Sequence, residues 1–381
     1  MTASLRSACQ RNCSRMDMTN FNERGFSARR PHVGDIALAV VAAMPLALVV
    51  LLVASLAMSS LLQPAHAAEN DSCGGRNLLG EMQASNPAGY GDVMREGAAV
   101  PNGKGIFWRI EKRGIEPSYL LGTMHVTDPR VVVMPPKAAD AAAKAAVIII
   151  ESDEILDEQK AAAALLVKPE LCMFTDGTTI ADYLSDEDEK KLDAGLRERG
   201  IPLAAVARMR PWILSSFVSL PPCELTRKAQ GKSFLDKKIA EDAVAAGKPV
   251  KGLETLAEQL AAMAELPVEF HLQALIETLQ LGDSMQDVME TMTELYLSGD
   301  IGMTMPMLRA VTPTEAGTDE SGYAAFEQHI IVDRNKVMAT RAAPTLEQGN
   351  AFMAVGALHL PGAEGLVELL RKQGFELIVV N

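Results

Sequence analysis

The sequence predicts an α/β fold, in which a mixed or parallel sheet is built from two β-Gly-x-x-His-α-β repeats with a large helical insertion between them. The first observation is a repeated motif, because the apolar runs 118–126 (SYLLGTMHV) and 352–360 (FMAVGALHL) each contain Gly-x-x-His near their end. The second is the unbroken run 147–150 (VIII), which is typical of a strand buried on both faces. The third is a composition of 48% apolar but only 4% aromatic residues, which suits aliphatic helices packed on a sheet.

Residues 1–68 have the pattern of an export signal and stand apart from this fold. Two arginines precede an apolar run at 36–62, and the segment 65–67 (AHA) has the small-x-small pattern of a signal-peptidase site. The run is also long enough to cross a bilayer as a retained signal anchor. Cleavage near Ala67 is the favoured interpretation and the anchor is the alternative. Both predict an exported protein, either periplasmic or anchored to the membrane and facing the periplasm.

The main domain is expected over 105–381, after a turn-rich N-terminal extension at 69–104. It opens with a hairpin, because two alternating segments flank a polar turn at 112–114. An alanine-rich helix follows at 135–146, with prolines at its start, where a missing N–H does no harm. This helix leads into the buried strand VIII.

Residues 155–247 are helical in pattern and contain no convincing strand, so we expect them to form the insertion. Within it, Ser185 is the expected N-cap of a helix that has acidic residues in its first turn. A short strand at 248–254 and a long helical stretch at 256–298 come next. A loop is expected at 312–322, followed by a helix.

The two Gly-x-x-His motifs lie in matching units, 118–150 and 351–380, each with the order strand, motif, helix, strand. Units of about thirty residues have the length of a βαβ crossover, so we expect parallel strands. Ligands of such sheets bind beyond the carboxyl ends of the strands. Four polar residues follow strand ends and are expected to share one crevice: His125, Glu151, Glu254 and His359.

The residue types at these strand ends suit a metal site. Two imidazoles and a carboxylate, from His125, His359 and Glu151, are suitable ligands for Zn²⁺, Mn²⁺ or Co²⁺ with positions left for water. A metal-free site is the alternative, in which one histidine acts as general base and Glu151 orients it. Asp153 is a weaker candidate for the same crevice.

Arg334 and Asn335 are further candidates because of their position on a predicted helix. Apolar residues lie three or four positions to either side of Arg334, so its guanidinium rises from an apolar stripe and needs an anionic partner. Glu151 or a substrate carboxylate could supply that partner, and a structural ion pair is the alternative.

The overall charge and the missing motifs exclude several functions. The net charge is −13 and no basic cluster follows the leader, so nucleic acid is not an expected partner. There is no phosphate-binding loop, His-Glu-x-x-His helix or Gly-x-Ser-x-Gly elbow. Of the cysteines outside the leader, Cys172 and Cys223 flank a helical segment and are the expected disulfide, with Cys73 left over.

Beyond these features, residues 100–381 resemble the TraB/GumN family, which includes the TIKI proteases. The resemblance rests on six segments in the family's order: SYLLGTMHVTDPRV, VIIIESD, MRPWIL, KPVKGLET, DRNKVMA and FMAVGALHLPGAEGLVELLRKQGFEL. It implies a fold related to the erythromycin esterases and the haem-binding ChaN proteins. It also implies metal-dependent proteolysis supported by Mn²⁺ or Co²⁺, with His125, Glu151 and His359 as functional residues. Glu254, Arg334 and Asn335 would then be supporting residues.

The sequence therefore predicts an exported metal-dependent hydrolase that acts on a peptide or small-molecule substrate. A peptidase is the preferred type. Two alternatives stay open at the level of the sequence. One is a haem- or ligand-binding protein of the ChaN type, and the other is a metal-independent esterase.

Overall fold

The computed structural model describes residues 73–311 and 320–380. The leader at 1–68, the candidate membrane span at 36–62 and most of the predicted loop at 312–322 lie outside these residues. Across the two described ranges, no helix is long and apolar enough to cross a membrane.

A six-stranded mixed sheet forms the centre of the described chain, which confirms the predicted α/β class. Its strands are β1 Phe107–Glu111, β2 Ser118–Thr123, β3 Val147–Ile150, β4 Val250–Gly252, β5 Ala351–Gly356 and β6 Glu376–Val379. They are ordered β4-β3-β5-β2-β1-β6. The four strands from β4 to β2 pair in parallel, whereas β1 is antiparallel to both of its neighbours.

The predicted hairpin is confirmed as β1 and β2, and its register shows why the sequence alternates. Phe107 lies opposite Leu121, and Trp108 lies opposite Leu120. Because successive side chains of a strand point to opposite faces, the first pair belongs to the core on one face of the sheet and the second pair to the core on the other.

Sixteen α-helices surround the sheet within the described residues. They are α1 Leu78–Ser85, α2 Pro87–Ala99, α3 Pro136–Lys144, α4 Glu158–Val167, α5 Asp186–Glu198, α6 Leu203–Val206, α7 Pro211–Val218, α8 Pro222–Ala229, α9 Leu235–Ala245, α10 Leu256–Ala264, α11 Val268–Leu281, α12 Ser284–Ser298, α13 Thr304–Val311, α14 Glu320–Phe326, α15 Asp333–Leu346 and α16 Leu366–Lys372. One π-helical segment, Glu327–Val332, joins α14 to α15. The long helical stretch predicted at 256–298 is broken at Pro267 and Gly282 into α10, α11 and α12.

Helices cover both faces of the sheet, as the apolar run VIII requires. On one face, α3 and α9 pack against Ile148 and Phe352. On the other face, α15 and α16 pack against Ile149 and Met353. These four sheet side chains are at most 1% exposed, so β3 and β5 are buried on both sides.

The predicted insertion at 155–247 is helical, as expected, and most of it has a core of its own. Leu192 and Leu196 on α5 pack with Leu272 and Leu275 on α11. Ser185 caps α5, where its hydroxyl accepts a hydrogen bond from the backbone N–H of Asp188 at 3.2 Å. The last helix of this region, α9, returns to the sheet.

The strand directions agree with the prediction, but the two Gly-x-x-His units are interleaved in the sheet. Strand β5 of the second unit lies between β2 and β3 of the first unit. Strands β2 and β1 in turn separate β5 from β6. The equivalence of the two units as repeats stays a prediction.

The disulfide prediction was wrong. Cys73 pairs with Cys223 across 150 residues of sequence, and Cys172 is a free thiol. Cys172 was the expected partner of Cys223 because the two residues flank a helical segment. The actual pairing depends on the path of the N-terminal extension, which brings Cys73 to Cys223 on α8. The guanidinium of Arg227 on α8 lies 3.1 Å from the Cys73 sulfur.

Candidate active site

Four neighbouring strands bring the predicted polar residues to one edge of the sheet. The order β4-β3-β5-β2 places Glu254, Glu151, His359 and His125 beyond successive carboxyl ends. This is the edge at which parallel sheets bind their ligands. The four residues are thus neighbours in space, although more than two hundred positions separate His125 from His359 in the sequence.

Glu151 lies at the centre of this group and is 6% exposed. Its Oε1 accepts the backbone N–H of Gly356 at 2.7 Å, and its Oε2 accepts bonds from Arg334 at 2.8 Å and Gln259 at 3.2 Å. Burial raises the pKa of Glu151, but the charges of His359, His125 and Arg334 and the Gly356 bond outweigh it and lower the pKa to about 2. The side chain is therefore a carboxylate at neutral pH.

Arg334 rises from α15 and joins two of the strand ends. Its Nε and Nη2 donate to Glu254 at 3.1 and 2.7 Å, and Nη2 also donates to Glu151 at 2.8 Å. Burial lowers the pKa of Arg334, but the two carboxylates outweigh this effect and raise it. The predicted anionic partner of Arg334 is thus a pair of glutamates.

His359 is held in one tautomer by Asn335, the residue after Arg334 on α15. The Asn335 amide nitrogen donates to the backbone carbonyl of Glu364 at 2.9 Å, which turns the Asn335 carbonyl oxygen toward His359. His359 Nδ1 lies 2.7 Å from this oxygen and must donate, so Nε2 carries a lone pair. Burial lowers the pKa of His359, and the positive charges of Arg334 and His125 lower it further. Together they outweigh the negative charge of Glu151, which raises the pKa, and the resulting value is about 4. The ring is therefore neutral at neutral pH.

His125 is the most exposed member of the group, with 52% of its side chain accessible. Its Nε2 lies 3.6 Å from Oδ2 of Asp236, a buried residue on α9. Burial lowers the pKa of His125, but the Asp236 carboxylate outweighs it and raises the pKa to about 9.

Gly122 and Gly356, the glycines of the two motifs, allow close approach and do not adopt positive φ angles. A Cβ on Gly122 would lie 3.0 Å from the Cα of Ala357 in the other motif. A Cβ on Gly356 would lie 3.0 Å from Glu151 Oε1. These glycines therefore let the two motifs and Glu151 pack together.

A cavity of about 290 Å³ opens above these residues. His125, Glu151, Arg334 and His359 line one side, and most of the remaining wall is apolar, for example Met292 on α12 and Ile331 on the π-helical segment. π-helical segments occur frequently at functional sites. The arrangement provides a small polar centre beside a space suited to an apolar group.

His271, His329 and Asp153 are not among the described residues that line this cavity. His271 is buried and its Nε2 lies 2.8 Å from the carbonyl of Met263, as expected for a core histidine. His329 lies 2.9 Å from Glu265. Sequence reasoning missed Asp236 and Gln259, because both stand on helices far along the chain from the residues they contact.

The side chains of His359 and Glu151 suit a divalent ion. His359 Nε2 and Glu151 Oε1 both carry lone pairs and face each other at 3.7 Å. Two ligands of one Zn²⁺ ion are about 3.4 Å apart at a tetrahedral angle. Within the described ranges, however, no group of three or more His, Cys, Asp or Glu side chains lies close enough to share an ion. The metal site with His125 as third ligand stays a prediction.

The chain belongs to the TraB/PrgY/gumN family, whose sequence model matches residues 106–378. It is similar to Metalloprotease TIKI2 of Xenopus tropicalis, with 27% identity over 191 residues, which is 45% of this chain and 36% of that protein. It is also similar to Metalloprotease TIKI1 of Danio rerio, with 25% identity over 190 residues, or 45% of this chain and 38% of that protein. Both matches span less than half the length of the relative. No solved structure shows a significant match to the chain.

Proposed function

We propose that this protein is a metal-dependent hydrolase, and specifically a peptidase that accepts an apolar side chain beside the cleaved bond. One observation carries the proposal: the lone pairs of His359 Nε2 and Glu151 Oε1 face each other at 3.7 Å on one side of an apolar cavity. The similarity to two metalloproteases supports the same class of reaction.

His359, Glu151 and His125 would hold the ion. A bound divalent ion lowers the pKa of a water ligand and polarises a carbonyl group. Two of the three ligands are ready in advance, because His359 is neutral and Glu151 is ionised. His125, whose pKa is raised, would release a proton when the ion binds. Arg334 offsets the negative charge of Glu151 and Glu254 and fixes the orientation of the Glu151 carboxylate.

The cavity supports a substrate with an uncharged apolar group. Arg334 donates to three carboxylate oxygens and to the backbone carbonyl of Ile330, so its role is to hold Glu151 and not to bind a substrate carboxylate. The apolar wall would take up a side chain such as leucine or methionine and exclude water from the reacting bond. The cavity volume lies at the low end of the range for small-molecule sites, which disfavours a macrocycle such as haem.

We also propose that the protein acts outside the cytoplasm. A disulfide between Cys73 and Cys223 suits an oxidising compartment, and residues 1–68 have the pattern of an export signal or anchor. Together these features support a periplasmic or membrane-anchored location.

The test combines metal content with cleavage of a mixed peptide library. The purified protein would be stripped with a chelator, reloaded with Mn²⁺, Co²⁺ or Zn²⁺, and compared with His359→Ala and Glu151→Gln. We expect both variants to lose bound metal and peptide cleavage, whereas His329→Gln, which changes a histidine outside the cavity, keeps both. Unchanged cleavage after metal removal would contradict the proposal and favour a metal-independent hydrolase, which ester substrates would then test.

A further inference from the structure

Asp236 has one carboxylate oxygen fixed and the other without a donor. The residue is 3% exposed and lies in the first turn of α9. Its Oδ1 accepts a hydrogen bond from the Thr123 hydroxyl at 2.7 Å. Its Oδ2 is fully buried and has no hydrogen-bond partner among the described residues. A buried carboxylate oxygen without a hydrogen-bond donor costs free energy of folding. Oδ2 therefore indicates that a donor approaches Asp236 from the side of this oxygen.

His125 is the group that lies on that side. Its Nε2 is 3.6 Å from Asp236 Oδ2, just beyond hydrogen-bond distance. The ring also packs against Phe234, two residues before Asp236, with the ring centres 5.3 Å apart. A small rotation of the His125 ring on this contact brings Nε2–H to the carboxylate, and Nδ1 is then the nitrogen left for the cavity.

We propose that Asp236 is a positioning residue of the active site, which accepts the Nε2–H of His125 and so presents Nδ1 to the cavity. His359 has the opposite arrangement, because its Nδ1–H is held by Asn335 and its Nε2 faces Glu151. The two histidines of the repeated motif thus use different ring nitrogens. A metal-binding histidine commonly donates its other N–H to a carboxylate or carbonyl, and such partners set its orientation and basicity. The role of Asp236 in ion binding rests on the proposed function, whereas the tautomer of His125 does not.

Thr123 makes Asp236→Asn a sharp test. In that variant we expect the Thr123 hydroxyl to keep donating, so that the carbonyl of Asn takes the place of Oδ1 and the amide NH₂ faces His125. Nε2 of His125 must then accept and Nδ1 carries the proton. The variant therefore reverses the tautomer of one histidine with almost no change of shape.

The measurement is the ¹⁵N chemical shift of the His125 ring nitrogens in the metal-free protein, at alkaline pH where the ring is neutral. The signals are assigned by comparison with His125→Gln. We expect Nε2–H in the wild type and Nδ1–H in Asp236→Asn. Asp242→Asn, on the exposed face of the same helix, should match the wild type. A wild type with Nδ1–H would overturn the proposal even if the variant failed to fold.

Metal affinity provides the second measurement. Titration with Zn²⁺ or Mn²⁺ should show affinity about 10- to 100-fold lower for Asp236→Asn, and no change for Asp242→Asn. If Asp236→Asn reverses the His125 tautomer but the wild type binds no metal, the proposed function is rejected and the positioning role of Asp236 stands. An unchanged tautomer in a metal-dependent peptidase would reject the positioning role alone.

Discussion

At the scale of single residues, the site depends on protonation states that the surrounding groups impose. His359 is neutral because it is buried with its Nδ1–H on Asn335, and Glu151 is ionised because positive charge and a backbone N–H surround it. Both pKa values are lowered, which leaves a neutral nitrogen donor and an anionic oxygen donor 3.7 Å apart at neutral pH. Pairs of titratable groups with strongly shifted pKa values are typical of functional sites.

The lowered pKa of His359 predicts a loss of stability in mild acid for the metal-free protein. Its pKa is about 4 in the folded chain against an ordinary value of 6.5, so the unfolded chain binds more protons between these values. The contribution of His359 to stability is complete above pH 6.5 and falls as the pH drops toward 4, by roughly 3 kcal/mol in all. Urea unfolding at pH 7.0 and 5.0 should show about 2 kcal/mol of this loss in the wild type.

His359→Gln is the comparison for this effect. We expect a smaller loss between the two pH values, because the titrating ring is gone. The remaining pH dependence should come from His271, whose lowered pKa also causes a loss in acid, and from His125, whose raised pKa acts in the opposite direction. An equal loss in the variant and the wild type would show that other groups cause the acid sensitivity.

Most individual site residues could be predicted from the sequence because they follow strand ends. Glu151 comes directly after an apolar run, and His125, Glu254 and His359 follow a strand within three residues, which is a local pattern. Asp236 could not be predicted, since an acidic residue in the first turn of a helix is ordinary at a helix N-terminus. Its contact with His125 arises only when α9 folds back onto the sheet.

At the scale of elements, the end of β5 supplies a backbone N–H to the site, from Gly356, and the 3₁₀ turn that follows supplies His359. Gly356→Ala should disturb both. The new Cβ would lie 3.0 Å from Glu151 Oε1 and 3.5 Å from the His359 ring. We expect the carboxylate to move off the Gly356 N–H, with a stability loss of about 1–3 kcal/mol. Metal affinity should fall about ten-fold or more, measured by calorimetric titration.

Gly91→Ala on α2 is the matched control, because no atom lies within 4 Å of its added Cβ. It should leave metal affinity unchanged and should not lower stability. Wild-type metal affinity in Gly356→Ala would mean that the contact between this glycine and Glu151 is unimportant.

The disulfide ties the N-terminal extension to α8, close to the first motif. Glu224 on α8 accepts bonds from the backbone N–H and hydroxyl of Thr127, two residues after His125. We expect the double variant Cys73→Ser/Cys223→Ser to lose about 2–5 kcal/mol in urea unfolding. Cys172→Ser should keep wild-type stability, because Cys172 forms no disulfide. Peptide mapping that links Cys172 to Cys223 would contradict the structure.

The elements themselves were largely predictable, whereas their spatial order was not. The hairpin, the strand VIII and the helical insertion follow from local periodicity. The placement of β5 between β2 and β3 depends on contacts between segments more than two hundred residues apart in the sequence. Local sequence patterns do not predict such contacts. The same reason explains the wrong cysteine pair.

At the scale of the whole molecule, the cavity is assembled from distant segments. Its polar side comes from the carboxyl edge of the sheet, which the sequence predicted. Its apolar wall comes largely from α12, the π-helical segment and the turn after β5, and no pattern in the sequence marks these residues as cavity-lining. An apolar residue of a helix looks the same in a sequence whether it faces the core or a cavity.

This wall leads to a prediction about substrate choice. Met292 lines the cavity from α12, so Met292→Trp would fill space that the proposed substrate side chain needs. The peptides to compare differ only in the side chain beside the cleaved bond. For those with leucine or methionine there, we expect KM to rise about ten-fold, since a lost apolar contact is worth about 1–3 kcal/mol. Peptides with alanine there should be affected much less. Metal content should stay unchanged, because the His359–Glu151 pair is untouched.

Met94→Trp provides the control, because Met94 lies on α2, is 41% exposed and is not among the residues that line the cavity. Its kinetics should match the wild type for every peptide. If Met292→Trp slowed alanine and leucine peptides equally, the change would act on the sheet edge that bears His359 and Glu151, or on folding. The apolar wall would then exclude water without selecting the substrate, and the choice of substrate would depend on residues farther from the sheet edge.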